Sequence, residues 1–174
     1  MKKFSQKGFS LIEILLYMSL LSLIAFVAVD LFLGVGEFSL ESSSKSTLQD
    51  DAKYITRRLS YDIHQASTIT TPGSYGDGNR TSELQLELTL GFSPVETHNY
   101  LLVGNDLLYQ RTSGGSTQSA KLNSNQNRLN FLWFSNISTG SAKPTIKILF
   151  ELEAVRTTKQ GPTRQTFETV VGSR

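Results

Sequence analysis

KGFSLIEILLYMSLLSLIAFVAVDLFLGVG, residues 7–36, decides how the chain is organised. Residues 14–29 are sixteen positions without a formal charge, and from Phe9 to Gly36 only Glu13 and Asp30 carry one. As a helix, the 28 residues 9–36 span roughly 42 Å at about 1.5 Å per residue, more than the roughly 30 Å hydrocarbon layer of a bilayer. The segment is long enough to cross a membrane. Lys2, Lys3 and Lys7 precede it and no basic residue lies within it. The positive-inside bias therefore predicts a cytoplasmic N-terminus, with everything after Gly36 on the far side. A secretory signal would have a shorter apolar core and a small-residue cleavage site after it. Here the apolar run passes directly into a polar helical stretch.

Charge and composition narrow the function classes. The formal charge is +2, and removing the three N-terminal lysines turns it into −1. No later Lys/Arg stripe is present; Arg57-Arg58 is the nearest candidate, so a nucleic-acid binder is poorly supported. There is no cysteine, which excludes a disulfide framework, a thiolate metal site and a cysteine nucleophile. The two histidines, His64 and His98, stand too far apart for a local metal motif, and no P-loop, dinucleotide fingerprint, GxSxG or HExxH occurs. Asp50-Asp51 reads as surface charge. Gly76-Asp77-Gly78-Asn79 has the oxygen atoms and flexibility of a calcium loop but reads first as a turn. The reading is non-enzymatic and implies no cofactor or metal.

Downstream of Gly34 and Gly36, apolar or small residues recur at Leu48, Ala52, Ile55, Leu59, Ile63 and Ala66, the spacing of one helix face. Lys53, Arg57, Arg58, Asp62 and Gln65 occupy the other positions. Residues 39–46 are serine-rich, which weakens the helix there. Pro72-Gly73 and the glycine run after it end the helical region near residues 67–71. The period then changes to two: residues 83–90 alternate as a half-buried strand. Residues 100–103 and 107–111 flank Gly104-Asn105-Asp106 as a hairpin, and 129–134, 145–155 and 166–171 are further strands. Phe131, Trp133 and Phe134 fall within one of them, most of them serving the core. Residues 112–127, TSGGSTQSAKLNSNQN, read as an exposed loop too polar to bury. The expected fold is α+β: a long N-terminal helix packed on an antiparallel sheet of four to six strands.

The order Lys7-Gly8-Phe9-Ser10-Leu11-Ile12-Glu13, behind a short basic leader, resembles the N-terminal segment of type IV prepilins and type II secretion pseudopilins. The resemblance covers about the first thirty residues. It implies cleavage between Gly8 and Phe9 by a prepilin peptidase, N-methylation of Phe9, and a lollipop arrangement of helix and head. It also implies a division into a removed leader (1–8), a transmembrane and assembly helix (9–36), an amphipathic half (37–70) and a β-rich head (71–174). The implied partners are the peptidase, other pilin or pseudopilin subunits, an inner-membrane assembly platform and, before assembly, the lipid bilayer. The subunit would cross the inner membrane once and later join an extracytoplasmic filament. The segment ITRRLSYDIHQAS and a final strand near the C-terminus further resemble minor pilins of the W or J kind.

Glu13 has a physical reading of its own. An acidic group in a membrane segment costs a few kcal/mol unless it is paired. After cleavage the Phe9 amine stands one turn away, so Glu13 neutralises its own N-terminus or that of a neighbour; the plainer reading has it tolerated in the headgroup region. In the pilin family the neighbour arrangement places an incoming subunit. Asp30 reads as interfacial. The alternative to a pilin is an unprocessed, single-pass anchored binding module with the same head, and behind it an anchored enzyme, which would need acidic or histidine groups clustered in the head.

Overall fold

A computed structural model describes residues 10–73, 80–89, 95–138, 143–158 and 161–173. Gly8 and Phe9, and the candidate ion loop Gly76-Asp77-Gly78-Asn79, lie outside the described residues. One helix, α1, covers Leu11–Gln65 and includes Gly34, Gly36 and the serine-rich segment. The chain divides into two units, Met1–Leu40 and Glu41–Arg174.

In the first unit no residue of 10–36 is covered by protein. Leu11, Phe26 and Phe32 are each more than 70% exposed. A helix hydrophobic all round and uncovered is stable only in lipid or against other apolar helices. By length and composition this one can cross a membrane.

The second unit is built on the amphipathic part of α1. Leu48, Ala52, Ile55, Leu59, Ile63 and Ala66 are all buried, as the spacing of four, three, four, four and three requires of one face. Asp62 departs from the expectation that it occupies the wet side: it is 1% exposed. Position 62 is three residues after Leu59 and seven after Ile55, which places it on the margin of the apolar stripe rather than opposite it.

That face packs against two antiparallel sheets, not one. The first is a meander of β1 (Thr68–Thr71), β2 (Glu83–Leu88), β3 (Glu96–Val103), β4 (Asp106–Ser113) and β5 (Ser116–Lys121), in that order. The second contains β6 (Asn127–Asn136), β7 (Thr145–Thr158) and β8 (Gly161–Gly172). A two-way bridge between Thr81 and Phe134 links them, with N to O distances of 3.0 and 2.8 Å. Alternation sorts the side chains: Leu84, Leu86 and Leu88 of β2, Tyr100 of β3, and Ile146, Ile148, Phe150 and Leu152 of β7 all join α1 in one core. Each such side chain contributes about 1.5–3 kcal/mol by burial.

The polar stretch 112–127 is not a loop. Gly114 and Gly115 both take positive φ (57° and 81°), the conformation a two-residue hairpin turn of the primed kind requires, and they reverse β4 into β5. All six β5 side chains are exposed, so the expectation of exposure holds there, while the backbone is ordered by pairing with β4. Beyond β5, Leu122, Asn123 and Asn127 are buried. Asn123 holds the turn by accepting from Leu107 N (2.9 Å) and donating to Asn127 O (2.8 Å).

Candidate functional site: the start of the helix and a buried ionic cluster

Glu13 lies in the first turn of α1, with its backbone N–H donating to Ser10 O at 3.0 Å. An acidic side chain is favoured there by the positive end of the helix macrodipole. It is exposed, and among the described residues its carboxylate has no hydrogen-bond or ion-pair partner. The structure therefore presents Glu13 outward amid apolar side chains, as it does Asp30.

The head holds a second concentration of charge. Asp62 of α1 accepts from the Tyr100 hydroxyl of β3, stands 3.0 Å from His98 Nδ1, and lies 3.2 Å from the Arg58 guanidinium one turn back. Arg58 donates to the Tyr109 hydroxyl of β4 at 3.0 Å and lies over that ring, 4.8 Å from its centroid. On the other side of His98, Nε2 is 3.5 Å from Glu96, which Arg111 holds with two bonds of 2.8 and 2.5 Å. Burial, then the adjacent Asp62 charge, push the Tyr100 phenol far up, so it stays a donor. Burial opposes the Arg58 charge, but the Tyr100 phenol and the Asp62 carboxylate outweigh it and raise its pKa. The cluster ties one helix to two strands through charge-assisted bonds.

Residues 3–29 match the prokaryotic N-terminal methylation motif. The chain carries the type IV pilin and pseudopilin signature. No curated protein and no solved structure matches the chain significantly. The motif, together with the uncovered apolar helix, supports a membrane-anchored, pilin-like subunit that assembles with others of its kind.

The head brings together residues that the sequence scatters. His98, Asp62 and Tyr100 are separated by 36 and 38 positions in their two contacts, so no local motif announces them. Among the described residues, no three His, Cys, Asp or Glu groups are placed to hold a metal ion. His64 is exposed. Asp50 is surface charge as expected; Asp51 is not. Its carboxylate accepts from Ser124 N (2.9 Å), Ser124 Oγ (2.8 Å) and Asn127 Nδ2 (2.8 Å), clasping the turn before β6 to α1. Phe134 enters the core, whereas Phe131 and Trp133 alternate onto the opposite face, where they stack at 4.6 Å with Arg80 over the indole.

Three head carboxylates are held below their ordinary range: Glu96 by Arg111, Asp106 by Lys121, and Glu153 by Asn130 and Arg164. A depressed folded pKa stabilises the fold above the unfolded value and loses that contribution as pH falls through the folded one. The urea midpoint, followed by Trp133 fluorescence, is expected to be level above about pH 5 and to fall progressively below about pH 4. A midpoint unchanged down to about pH 3 would mean these pairs contribute nothing.

Proposed function

We propose that the chain is a structural minor pilin or pseudopilin of a type IV filament system, serving pilus assembly, type II secretion or DNA uptake. It is cut between Gly8 and Phe9 by prepilin peptidase and N-methylated on Phe9. The match of residues 3–29 to the methylation motif carries this reading. In it, residues 1–8 are a removed leader, 9–36 the membrane and assembly helix, 37–70 the amphipathic half and 71–174 the head. The N-terminus faces the cytoplasm and the head lies outside the inner membrane. Glu13 meets the Phe9 amine of a neighbouring subunit as an assembly platform adds it to the filament. The minor, W- or J-like assignment draws on the Arg57-Arg58 turn of α1 and on the β-rich head that follows it.

The test is intact mass and N-terminal sequencing of the protein from its native membrane. A chain beginning at methylated Phe9 is the expected result. A chain beginning at Met1, in cells with an active prepilin peptidase, would leave an anchored binding module in place of a pilin.

A further inference from the structure

The core of the head is unfinished at β8. Along β7 the inward residues Ile148, Phe150 and Leu152 are fully buried. Their partners on β8, Thr169, Phe167 and Gln165, point to the same side yet are only half-buried. Phe167 stacks on Phe150 with centroids 5.3 Å apart. It and Gln165 border an open groove of about 430 Å³ whose opposite wall is Ala52, Lys53, Thr56 and Arg57 of α1. The groove runs beside the one margin of the second sheet that has no neighbour: β8 pairs with β7 alone among the described residues.

The margins differ in how far they are blunted, and β8 is interrupted only at its start, by Pro162 and the irregularity opposite Glu153 to Thr157. β1 has four residues and an irregular register, β6 is irregular at Leu129/Phe131 and bridged by Thr81, and β5 has no half-buried side chain behind it. From Arg164 to Gly172 the β8 register is unbroken, without a proline or lysine. Natural edges are normally blunted by bulges, prolines or lysines, and one left long and regular is a template for another strand. The rim of the groove also has a sign. Lys53 and Arg57 are both exposed; Lys53 has only a distant contact, 3.9 Å, with the exposed Asp50, and Arg57 has no ion-pair partner among the described residues. The neighbouring acids are committed elsewhere, Glu153 to Arg164 and Glu168 to Lys147.

We propose that β8 is an acceptor edge: an extended strand of another polypeptide, with an acidic residue among its inward side chains, pairs with β8 and fills the groove between Phe167 and Ala52. Backbone pairing supplies the register, an inward apolar side chain covers Phe167, and the acid meets Lys53 and Arg57. The site needs neither cleavage at Gly8 nor a formed filament, so it is testable apart from the pilin reading.

The experiment uses the full chain in detergent micelles and two fluorescein-labelled peptides of about ten residues. One alternates threonine with valine and carries glutamate at two inward positions; the other carries lysine there. The expected result is saturable anisotropy for the glutamate peptide, hydrogen-exchange protection of the amides of residues 164–172, and about a tenfold preference over the lysine peptide. The preference should invert in a Lys53→Glu/Arg57→Glu double variant, whose fold is checked by unchanged exchange along β7. No saturable binding of either peptide, or binding without protection of β8, would overturn the proposal. Protection of β8 that grows with protein concentration alone would overturn it in favour of a second copy.

Discussion

Asp62→Ala is expected to destabilise the head by about 3 kcal/mol, because it removes the shared acceptor of a buried network and leaves its donors in place. The Tyr100 hydroxyl is fully buried and has Asp62 as its partner, so it is left unsatisfied. His98 loses its 3.0 Å contact at a site where its side chain is 6% exposed. Arg58 loses a counter-charge, but its side chain is 34% exposed and reaches Tyr109, so its share is discounted for solvent screening. Asp62→Asn keeps an oxygen for Tyr100 but turns an amide N–H toward other donors, and should cost about half as much. For a head of this size 3 kcal/mol corresponds to a drop in Tm of about 10 °C, readable by Trp133 fluorescence. Pairing Asp62→Ala with Tyr100→Phe in a double-mutant cycle should recover about 1–2 kcal/mol, since the phenylalanine leaves no orphaned hydroxyl. A loss below about 1 kcal/mol for Asp62→Ala would show that water reaches Tyr100 and that the cluster is ornamental to stability.

The parts of this fold that were legible in the sequence are those set by short-range periodicity. Leu48 to Ala66 at helical spacing and Leu84, Leu86 and Leu88 at alternate positions each declare a buried face, and in both cases that face is in the core. Partner choice between strands is a different matter. Alternation shows which side of β6 is buried but not whether β6 joins β5; that is settled by the Thr81 to Phe134 bridge and by the Asp51 clasp on Ser124 and Asn127, contacts spanning some fifty residues or more. The β4–β5 hairpin had a local signal, Gly114-Gly115 between Ser and Thr residues, masked by a polarity that reads as loop. The charge of Asp62 predicts the wet face, whereas its spacing from Ile55 and Leu59 puts it beside the core, where it is buried. Glu13 stands out for the opposite reason: it is one of only two charges, with Asp30, in the apolar run, and its assembly role is part of the proposed function.

Glu13→Ala is expected to leave cleavage and membrane insertion intact and to reduce incorporation into filaments by about 100-fold. The magnitude follows from the roughly 2.5–3.5 kcal/mol that an unpaired acid costs in a membrane helix, which pairing with a neighbour's amine would recover, at about 1.4 kcal/mol per factor of ten. Removing the carboxylate also removes its insertion cost, so the variant should be held in the membrane at least as well as the parent. The defect then appears only where one subunit must find another. Gly8→Val provides the contrast: under the proposed processing it is expected to retain its leader and Met1, to leave the Phe9 amine unexposed and to fail one step earlier. Quantitative mass spectrometry of sheared filaments against the membrane fraction separates the two, because Glu13→Ala should accumulate as a processed chain in the membrane and Gly8→Val as an unprocessed one. If Glu13→Ala enters filaments at the parental level while Gly8→Val does not, the amine of Phe9 matters without Glu13, and the carboxylate in the first turn of α1 is there only because the helix N-terminus tolerates it.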